Sequence, residues 1–243
     1  MCTVSFLPTA AGFHLAMNRD EKRTRITALP PSIVRLNGHR AIFPREPRGG
    51  TWIAVNEAGL CLALINWHTI EREAAGEIVS RGQIVESLAG NLSARDIAVA
   101  LKKLPLKNLR PFRLLVFDAA RRVVVEWRWN LELLARLNHD WNAVHHWFSS
   151  GYDEPMAERQ RTKICAAAQK RSSLGSRAAL RRLHRSHAPE AGPFSICMHR
   201  EDAATVSYTE VNVSARHARM NYIAGAPCCS AACISRCLLL GRH

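Results

Sequence analysis

Short apolar segments separated by turn residues make up most of the first half of the chain. Each has the length and composition of a β-strand, and glycine stands in the turn between neighbouring segments. The pattern predicts strands at residues 4–7, 13–17, 51–55 and 60–65. Between the second and third strands lie Pro30, Pro31 and the Pro-, Arg- and Gly-rich run 44–50, and we predict a loop there.

Helical periodicity begins after residue 80. Ser93 and Asp96 stand three residues apart ahead of apolar positions at helical spacing, which predicts a capped amphipathic helix over 93–104. Asp153 followed by Pro155 predicts the start of a long helix, because proline is favoured in the first turn. The remaining predicted elements are a helix at 82–89 and strands at 113–117, 123–129, 143–148, 205–213 and 218–223.

The order of strands, helices, strands, a long helix and strands again indicates the α+β class. It favours antiparallel sheets covered by helices over a regularly alternating parallel sheet, and two sheets packed face to face between helical layers would satisfy it. The chain has 243 residues, of which 47% are hydrophobic, enough for one large domain with a substantial core. We predict a single domain over residues 1–227 and a cysteine-rich tail over 228–243.

Charge and the chain start restrict the class of protein further. The net charge of +14 would attract anions such as phosphates or carboxylates. Much of it lies in residues 170–187, which we interpret as the solvated face of a helix, since no aromatic residues for base stacking are interleaved there. The chain has neither an apolar run near the roughly 20 residues of a membrane span nor a secretory signal. We therefore predict a cytoplasmic protein with reduced thiols, no membrane span and no nucleic-acid partner.

The eight cysteines do not form the spread pattern of a disulfide framework, because half of them lie near the end of the chain. Cys228, Cys229, Cys233 and Cys237, with His243, offer soft ligands for Zn²⁺, but their spacing differs from the paired two-residue knuckles of common zinc sites. We predict no metal and no other cofactor. The segment is instead interpreted as a tail of small residues with Cys233 and Cys237 on one helical face.

Cys2 becomes the first residue once Met1 is removed, and an N-terminal cysteine carries both a nucleophile and a base. The thiolate is the reactive form of cysteine, and a free α-amino group has a pKa of about 7.7–8.0. A strand that follows directly would hold Cys2 at the end of a sheet rather than on a frayed terminus. The alternative is a small apolar residue at the start of a strand.

Charged and amide side chains at two other predicted strand ends complete a constellation with Cys2. Arg19 beside Cys2 would lower the thiol pKa, and Asp20 would hold and orient the terminal amine. Asn66, at the end of another strand, would donate to a developing oxyanion, a contribution of about 2.7–4 kcal/mol when the donor is preorganised. The alternatives are an exposed ion-pair cluster for Arg19 and Asp20, and an ordinary turn residue for Asn66.

The first 70 residues carry several motifs that belong to one known pattern. They are Met1-Cys2-Thr3, Asn18-Arg19-Asp20-Glu21, residues 49–54, and residues 56–60 together with Asn66. These motifs closely resemble the NRDE family, which is named after the tetrapeptide and includes the transport and Golgi organisation protein 2 homologues. Residues 149–151 and 193–199 also resemble that family, with less specific motifs.

The NRDE family is in turn similar to the N-terminal-nucleophile hydrolases of the choloylglycine hydrolase and penicillin acylase group. This resemblance implies a four-layer αββα sandwich of two antiparallel sheets. It also implies Cys2 as the nucleophile, Asn66 as the oxyanion donor and Arg19 and Asp20 as further catalytic residues. Substrate-binding residues implied by the same resemblance are Asn18 and Ser150.

One departure from the hydrolases concerns the Arg and Asp positions, which two residues separate in those enzymes. Arg19 and Asp20 are adjacent, so they should point to opposite faces of an extended strand unless a bend or bulge brings both near Cys2. An ungapped match would place Asn18 and Glu21 in those two positions instead.

These features favour an amidohydrolase that needs no cofactor and acts on a small acyl or amide substrate, with an anionic group allowed by the positive charge. Arg159 and Arg161 are candidates for binding that anion, whereas His145, His146 and His199 are acid-base groups that the mechanism does not need. The alternative is a binding or trafficking protein without turnover, for an acyl-CoA, lipid or haem-like anion. A nucleic-acid-associated protein is a third hypothesis, supported by charge alone. A homo-oligomer is compatible with the sequence.

Overall fold

The computed structural model describes residues 2–72, 78–171, 176–230 and 232–241. In chain order the strands are β1 Cys2–Thr9, β2 Gly12–Lys22, β3 Leu29–Leu36, β4 His39–Arg45, β5 Ile53–Asn56, β6 Leu60–Asn66, β7 Phe112–Asp118, β8 Val123–Trp129, β9 Leu134–His139, β10 His145–Ser149, β11 Ala203–Val213, β12 His217–Ala224 and β13 Ile234–Leu239. The α-helices are α1 Gly82–Leu88, α2 Ala94–Leu101, α3 Glu154–Arg171 and α4 Arg177–His184.

Two antiparallel sheets stack face to face, and each carries helices on its outer face. The first sheet has the order β10-β1-β2-β11-β12-β13, and the second contains β3 to β9 in sequence order. Apolar side chains of both sheets, among them Phe6, Phe13 and Phe117, pack between them. Helices α1 and α2 cover the second sheet, and α3 and α4 cover the first. These layers confirm the predicted four-layer αββα sandwich of the α+β class.

Alternation along β1 and β2 determines which side chains face the other sheet. Cys2 and Val4 of β1 and Met17 of β2 belong to the core between the sheets, whereas Leu7 packs on the outer face with α4. Successive side chains of a strand point to opposite faces, so the odd and even positions separate cleanly. The register places Cys2 opposite Arg19, which puts both side chains on the face toward the second sheet.

The predicted helix starts are confirmed by their capping hydrogen bonds. The Ser93 hydroxyl accepts a hydrogen bond from the backbone N–H of Asp96 at 3.1 Å, at the start of α2. The Asp153 carboxylate accepts one from the backbone N–H of Met156 at 3.0 Å, at the start of α3. Local sequence signals therefore fix where these helices begin.

The loop predicted before residue 50 is wrong over much of its length, because β3 and β4 lie there. Pro30 and Pro31 belong to β3, which is an edge strand of the second sheet. An edge strand tolerates proline, since the N–H that proline lacks would face solvent. β4 is buried at Ala41, Ile42 and Phe43 and joins the edge to the rest of the sheet. The other edge strand, β9, has no buried residue and gives no apolar signal.

Part of the predicted cysteine-rich tail is an edge strand of the first sheet. β13 pairs antiparallel with β12, and Leu238 is buried in the central core. The predicted helical face for Cys233 and Cys237 is therefore wrong, since Cys237 lies on this strand opposite Arg219. His243 lies outside the described residues.

The basic stretch 170–187 covers the end of α3 and all of α4, and residues 172–175 lie outside the described part of the chain. On α4, Leu180 and Leu183 are buried against the sheet, while Arg182 is exposed. The predicted solvated face is thus present on α4. Among the helices described, none is both long enough and apolar enough to cross a membrane.

Candidate active site

A cavity of about 230 Å³ lies at the end of the sandwich where β1 begins and β2 and β6 end. Its wall comes from both sheets and from the segment before α1. The lining residues are Cys2, Arg19, Asp20, Glu21, Arg25, Glu46, Thr51, Trp52, Leu64, Asn66, Ile78, Val79, Ser80, Arg81, Gly82 and Arg110. All four residues that the sequence predicts as catalytic, Cys2, Arg19, Asp20 and Asn66, are in this set.

Cys2 lies between two paired strands. Its backbone is opposite Ser149 of β10 and Arg19 of β2, and only 7% of its surface is exposed. Burial raises the pKa of the Cys2 thiol, and the Asp20 carboxylate raises it further, while Arg19 and a backbone hydrogen bond from Asp20 lower it. The raised pKa keeps the thiol protonated until a base takes its proton.

Arg19 packs its guanidinium over the ring of Trp52, with 4.3 Å between Cζ and the ring centroid. The same guanidinium forms an ion pair with Glu46 and a longer one with Glu21, at 3.5 Å between Nη2 and Oε2. A cation that two carboxylates neutralise favours a nearby thiolate only weakly. The predicted lowering of the Cys2 pKa by Arg19 is confirmed, but the effect of burial is larger, so the pKa of the thiol is raised overall.

The Asp20 side chain is held on the outer face of the first sheet, which α3 and α4 cover. Its carboxylate accepts a hydrogen bond from Thr205 Oγ1 at 2.6 Å and pairs with Arg161 Nη2 at 3.4 Å. Arg19 and Asp20 thus make their contacts on opposite faces, as adjacent residues of a strand do. A register shift lies in the neighbouring strand β11, between Thr205 and Ser207, rather than in β2. Asp20 still contributes to the cavity wall beside Cys2.

Asn66 is the last residue of β6, and its side chain makes no hydrogen bond with any residue that the structure describes. The amide is therefore available to a ligand in the cavity. The loop after Asn66 is tied to α3 through Glu154, whose carboxylate accepts the backbone N–H groups of Thr69 at 2.6 Å and Ser150 at 3.1 Å. This buried carboxylate fixes the direction in which the chain leaves the site.

The two residues predicted to bind substrate, Asn18 and Ser150, are not part of the cavity wall. Asn18 Nδ2 faces the helical layer and donates to two backbone carbonyls, at 2.8 and 2.9 Å. Ser150 Oγ donates to the carbonyl of Tyr152 at 2.6 Å. Both side chains are used within the fold. In the ungapped alternative, Glu21 lines the cavity and Asn18 does not.

Three arginines of the cavity wall have no counterpart in the sequence predictions: Arg25, Arg81 and Arg110. Arg25 pairs with Glu21 at 3.2 Å. Arg81 donates to the carbonyl of Pro111 at 2.9 Å. Burial and the nearby Arg110 lower the pKa of Arg81 to about 10, which is still high enough to keep it charged at neutral pH. Within the described ranges, neither Arg81 nor Arg110 has a carboxylate at ion-pair distance. Loop arginines carry no periodic or motif signal that marks them as pocket residues.

Gly50 allows the segment before β5 to approach α1 closely. Its φ is +86°, and a Cβ there would lie 2.8 Å from the carbonyl carbon of Gly82. The adjacent N–H of Thr51 donates to the Gly82 carbonyl at 2.9 Å. A side chain at Gly50 would therefore displace the wall formed by Trp52 and Arg81.

Arg161 is fully buried in α3, directly behind Cys2. Nη1 donates to Thr3 Oγ1 at 3.1 Å and to the carbonyl of Cys2 at 3.5 Å. The interpretation of Arg161 as an anion-binding residue is wrong, because its guanidinium binds groups of the fold itself. A signal exists in the sequence: Arg161 is four residues from Ala157 and from Cys165, which places it on the inward face of the helix.

The sequence matches the family model described as Transport and Golgi organisation 2 over residues 1–185. The chain belongs to the transport and Golgi organisation 2 family. In this family member, the matched region contains every residue that lines the cavity, and β11 to β13 lie beyond it. The match confirms the resemblance that the NRDE motif indicates. No curated protein sequence matches the chain closely enough to count as a relative.

Solved structures of N-terminal-nucleophile hydrolases share the fold of this transport and Golgi organisation 2 family member. Penicillin V acylase from Agrobacterium tumefaciens is 11% identical, with a TM-score of 0.53 over 92% of this chain and 83% of the acylase. A mutant conjugated bile acid hydrolase from Clostridium perfringens is 12% identical, with a TM-score of 0.52 over 92% of this chain and 89% of the hydrolase. At these identities the likeness establishes the fold alone.

Proposed function

We propose that this member of the transport and Golgi organisation 2 family hydrolyses an amide or related acyl bond with Cys2 as the nucleophile. The observation that carries the proposal is the cavity, whose wall contains the Cys2 thiol, the Asn66 amide and the charged residues Arg19 and Asp20. Acyl transfer needs a nucleophile, an oxyanion donor and groups that hold both in place. The shared fold with penicillin V acylase and conjugated bile acid hydrolase supports the same class of reaction.

In the proposed reaction, removal of Met1 leaves the α-amino group of Cys2 beside its own thiol. The neutral amine takes the thiol proton, and the sulfur attacks the carbonyl carbon of the substrate. The carbonyl oxygen becomes negative and accepts a hydrogen bond from the Asn66 amide. The ammonium then protonates the leaving amine, the C–N bond breaks, and a thioester on Cys2 remains.

Water completes the cycle at the same amine. The amine takes one proton from water while the water oxygen attacks the thioester carbon, and the C–S bond breaks. The carboxylic acid leaves, and the sulfur recovers its proton from the ammonium. The raised thiol pKa fits this scheme, because a thiol that is neutral at rest needs a base at the moment of attack.

The cationic side of the cavity supports a substrate with a carboxylate or another anionic group. Arg81 and Arg110 line the wall, and guanidinium groups bind carboxylates and phosphates through paired hydrogen bonds. The volume of about 230 Å³ is below the roughly 300–1,000 Å³ of pockets that enclose drug-sized ligands. We therefore propose a small acyl group, or a larger substrate of which only the scissile end enters.

A second candidate function is binding of an anionic acyl compound without turnover. The observation that favours it is the combination of charged arginines with a buried thiol of raised pKa, since the arginines bind an anion whether or not the thiol reacts. The two functions differ in the role of Cys2. Binding alone does not need the sulfur.

Amine release from a panel of amides tests the proposal. The panel contains N-acyl amino acids of increasing acyl length, penicillin V and a conjugated bile acid, and the full-length protein is first shown by mass to lack Met1. We expect turnover by the parent and a fall of at least about 10³-fold in Cys2→Ala. Cys165→Ala, which changes a buried cysteine on α3, is the matched control and should retain turnover.

The same panel also separates the two candidate functions. If the parent releases no amine from any amide, and parent and Cys2→Ala bind the same anionic compounds equally well, the protein is a binding protein. Equal turnover by parent and Cys2→Ala would contradict the assignment of the nucleophile.

A further inference from the structure

Two histidines and two cysteines outside the active-site cavity converge on one point. The ligand atoms of His187, Cys197, His199 and Cys228 all lie within 4.8 Å of one another. His199 Nε2 is 3.2 Å from His187 Nε2, 3.6 Å from Cys197 Sγ and 3.4 Å from Cys228 Sγ. Cys197 is fully buried and the other three are partly buried.

The three distances from His199 match three of the six edges of a tetrahedron around zinc. Zn–N bonds of about 2.0–2.1 Å and Zn–S bonds of about 2.3 Å place two nitrogens about 3.3 Å apart in a tetrahedral site. A nitrogen and a sulfur in the same site are about 3.5 Å apart. The three distances from His199 agree with these values to within about 0.2 Å, the tolerance expected of a real site.

Hydrogen bonding alone does not account for this arrangement. A neutral imidazole carries one N–H, so His199 Nε2 donates to at most one of its three neighbours or to none. One of those neighbours is the Nε2 atom of His187, and two ring nitrogens that face each other need one donor and one acceptor. A cation at the centre would use the lone pairs of all four atoms together.

The four residues come from three segments that the fold brings together. His187 follows α4, Cys197 and His199 precede β11, and Cys228 follows β12. Two of these segments are already joined by a backbone hydrogen bond, from the N–H of Cys197 to the carbonyl of Ser186 at 3.0 Å. The donors of these two segments are therefore held together by backbone structure before any ion binds.

We propose that His187, Cys197, His199 and Cys228 bind one Zn²⁺ ion. Two thiolates and two imidazoles form a donor set of structural zinc sites, and four protein ligands leave no open position for a substrate. The ion is structural: it ties the end of α4, the segment before β11 and the turn after β12 to one point.

The zinc site is linked to the active site through three residues. Met198, between two of the ligands, donates its backbone N–H to Thr205 Oγ1 at 2.9 Å. The Thr205 hydroxyl donates in turn to the Asp20 carboxylate at 2.6 Å. The ion thus fixes the segment that holds Thr205, and Thr205 orients the carboxylate beside Cys2.

Metal analysis and Co²⁺ spectroscopy of the full chain test the proposal. Protein purified with reduced thiols is expected to contain one equivalent of zinc, and replacement by Co²⁺ is expected to give the intense visible absorption of a tetrahedral site with thiolate-to-metal charge transfer. Cys228→Ser should lower the zinc affinity by at least about 100-fold, since loss of an outer-shell partner alone costs about 10–100-fold. Cys233→Ser changes an exposed cysteine of the same segment that is outside the cluster and should change neither the zinc content nor the Co²⁺ spectrum.

Three results would overturn the proposal. One is a parent protein that carries no zinc and takes up no tetrahedral Co²⁺ while its thiols are reduced. Another is a disulfide between Cys197 and Cys228 in protein alkylated at lysis. The third is equal zinc retention by Cys228→Ser and Cys233→Ser. The Co²⁺ spectrum of the parent reports thiolate ligation directly, so the test stands even if Cys228→Ser does not fold.

Discussion

Cys2 and Cys197 are both buried thiols, but they lie in regions of different chemistry. Cys2 borders a cavity whose wall also carries an amide, carboxylates and arginines. Cys197 faces two imidazoles and a second thiol, all within 4.8 Å. Soft donors that converge on one point favour a cation and leave no room for a substrate. One thiol beside an amide donor and an open cavity favours attack on a carbonyl.

Partner atoms, rather than burial, separate the cysteine that we propose as the nucleophile from the one that we propose as a metal ligand. Burial raises the pKa of Cys2, and it also raises the pKa of Cys165 to about 12. Cys165 packs among apolar residues such as Leu183 of α4, does not line the active-site cavity and, within the described part of the chain, belongs to no group of metal-ligating side chains. The same direction of pKa shift thus accompanies two different surroundings.

After Cys2 itself, the largest expected effect on the cavity side comes from Asn66. Asn66→Ala removes the oxyanion donor, so kcat for amide hydrolysis should fall by about 10²–10³-fold while KM changes little. Asn142→Ala is the control, because that exposed amide contacts Arg122 on the surface. If kcat survives in Asn66→Ala, the oxyanion donor lies elsewhere in the cavity.

On the other side of the comparison, removal of zinc should lower thermal stability. An ion present at about 1,000 times its Kd stabilises the fold by about 4 kcal/mol, which corresponds to a fall in Tm of about 10 °C when a strong chelator is added. Calorimetry with and without chelator measures this fall in Tm. The chelator should lower the Tm of Cys2→Ala by the full amount and leave the Tm of Cys228→Ser unchanged. An equal fall in both variants would mean that the stabilising metal binds somewhere other than this cluster.

Two histidines between these regions should make stability pH-dependent. His146 Nδ1 and His184 Nε2 are each 2.8 Å from Ser5 Oγ. Burial lowers the pKa of His184 to about 3 and that of His146 to about 4, from an ordinary 6.5. As the pH falls, the two histidines therefore become protonated in the unfolded chain before they do in the folded one. Their contribution to stability is complete above pH 6.5 and is lost as the pH falls toward 4. Between pH 7 and pH 5, the contribution of each histidine to the free energy of unfolding should fall by about 2 kcal/mol.

Urea unfolding at pH 7, 6 and 5, with chelator in every sample to remove the zinc contribution, measures this loss. His146→Asn keeps a hydrogen-bonding group near Ser5 without the titration, so its free energy of unfolding should fall less steeply than that of the parent. His217→Asn changes an exposed histidine and should leave the slope unchanged. An equal slope in all three proteins would mean that His146 is not held neutral.

The smallest expected effect concerns the cationic wall. Arg81→Leu should raise KM for an anionic amide about tenfold, since one charge-assisted hydrogen bond contributes about 1.5 kcal/mol. The methyl ester of the same substrate should show no change, and Arg95→Leu, on the exposed side of α2, serves as the control. An equal rise in KM for acid and ester would point to a packing role for Arg81.

Strand positions and the core of the site could be predicted from the sequence because both depend on neighbours along the chain. Alternation along β1 and β2 places Cys2 opposite Arg19, and the end of β6 places Asn66 at the same end of the sandwich. The strand with Pro30 and Pro31 escapes prediction, since an edge position removes the penalty that proline would otherwise impose.

Contacts between distant loops could not be predicted in this way. Arg81 and Arg110 reach the cavity from loops, and His187 and Cys228 meet only because α4 and β12 end at the same place in the fold. The spacing of the cysteines near the chain end differs from that of common zinc sites and predicts no metal there, yet one of them, Cys228, belongs to the cluster of four. Neither periodicity nor spacing encodes such convergence.

The mass of the intact protein after brief exposure to a β-lactone, which acylates nucleophilic thiols, tests the central claim most directly. The account predicts a starting mass without Met1, a gain of one acyl group mapped to Cys2, and no gain in Cys2→Ala. Retention of Met1, or acylation of parent and Cys2→Ala at the same rate, would contradict it.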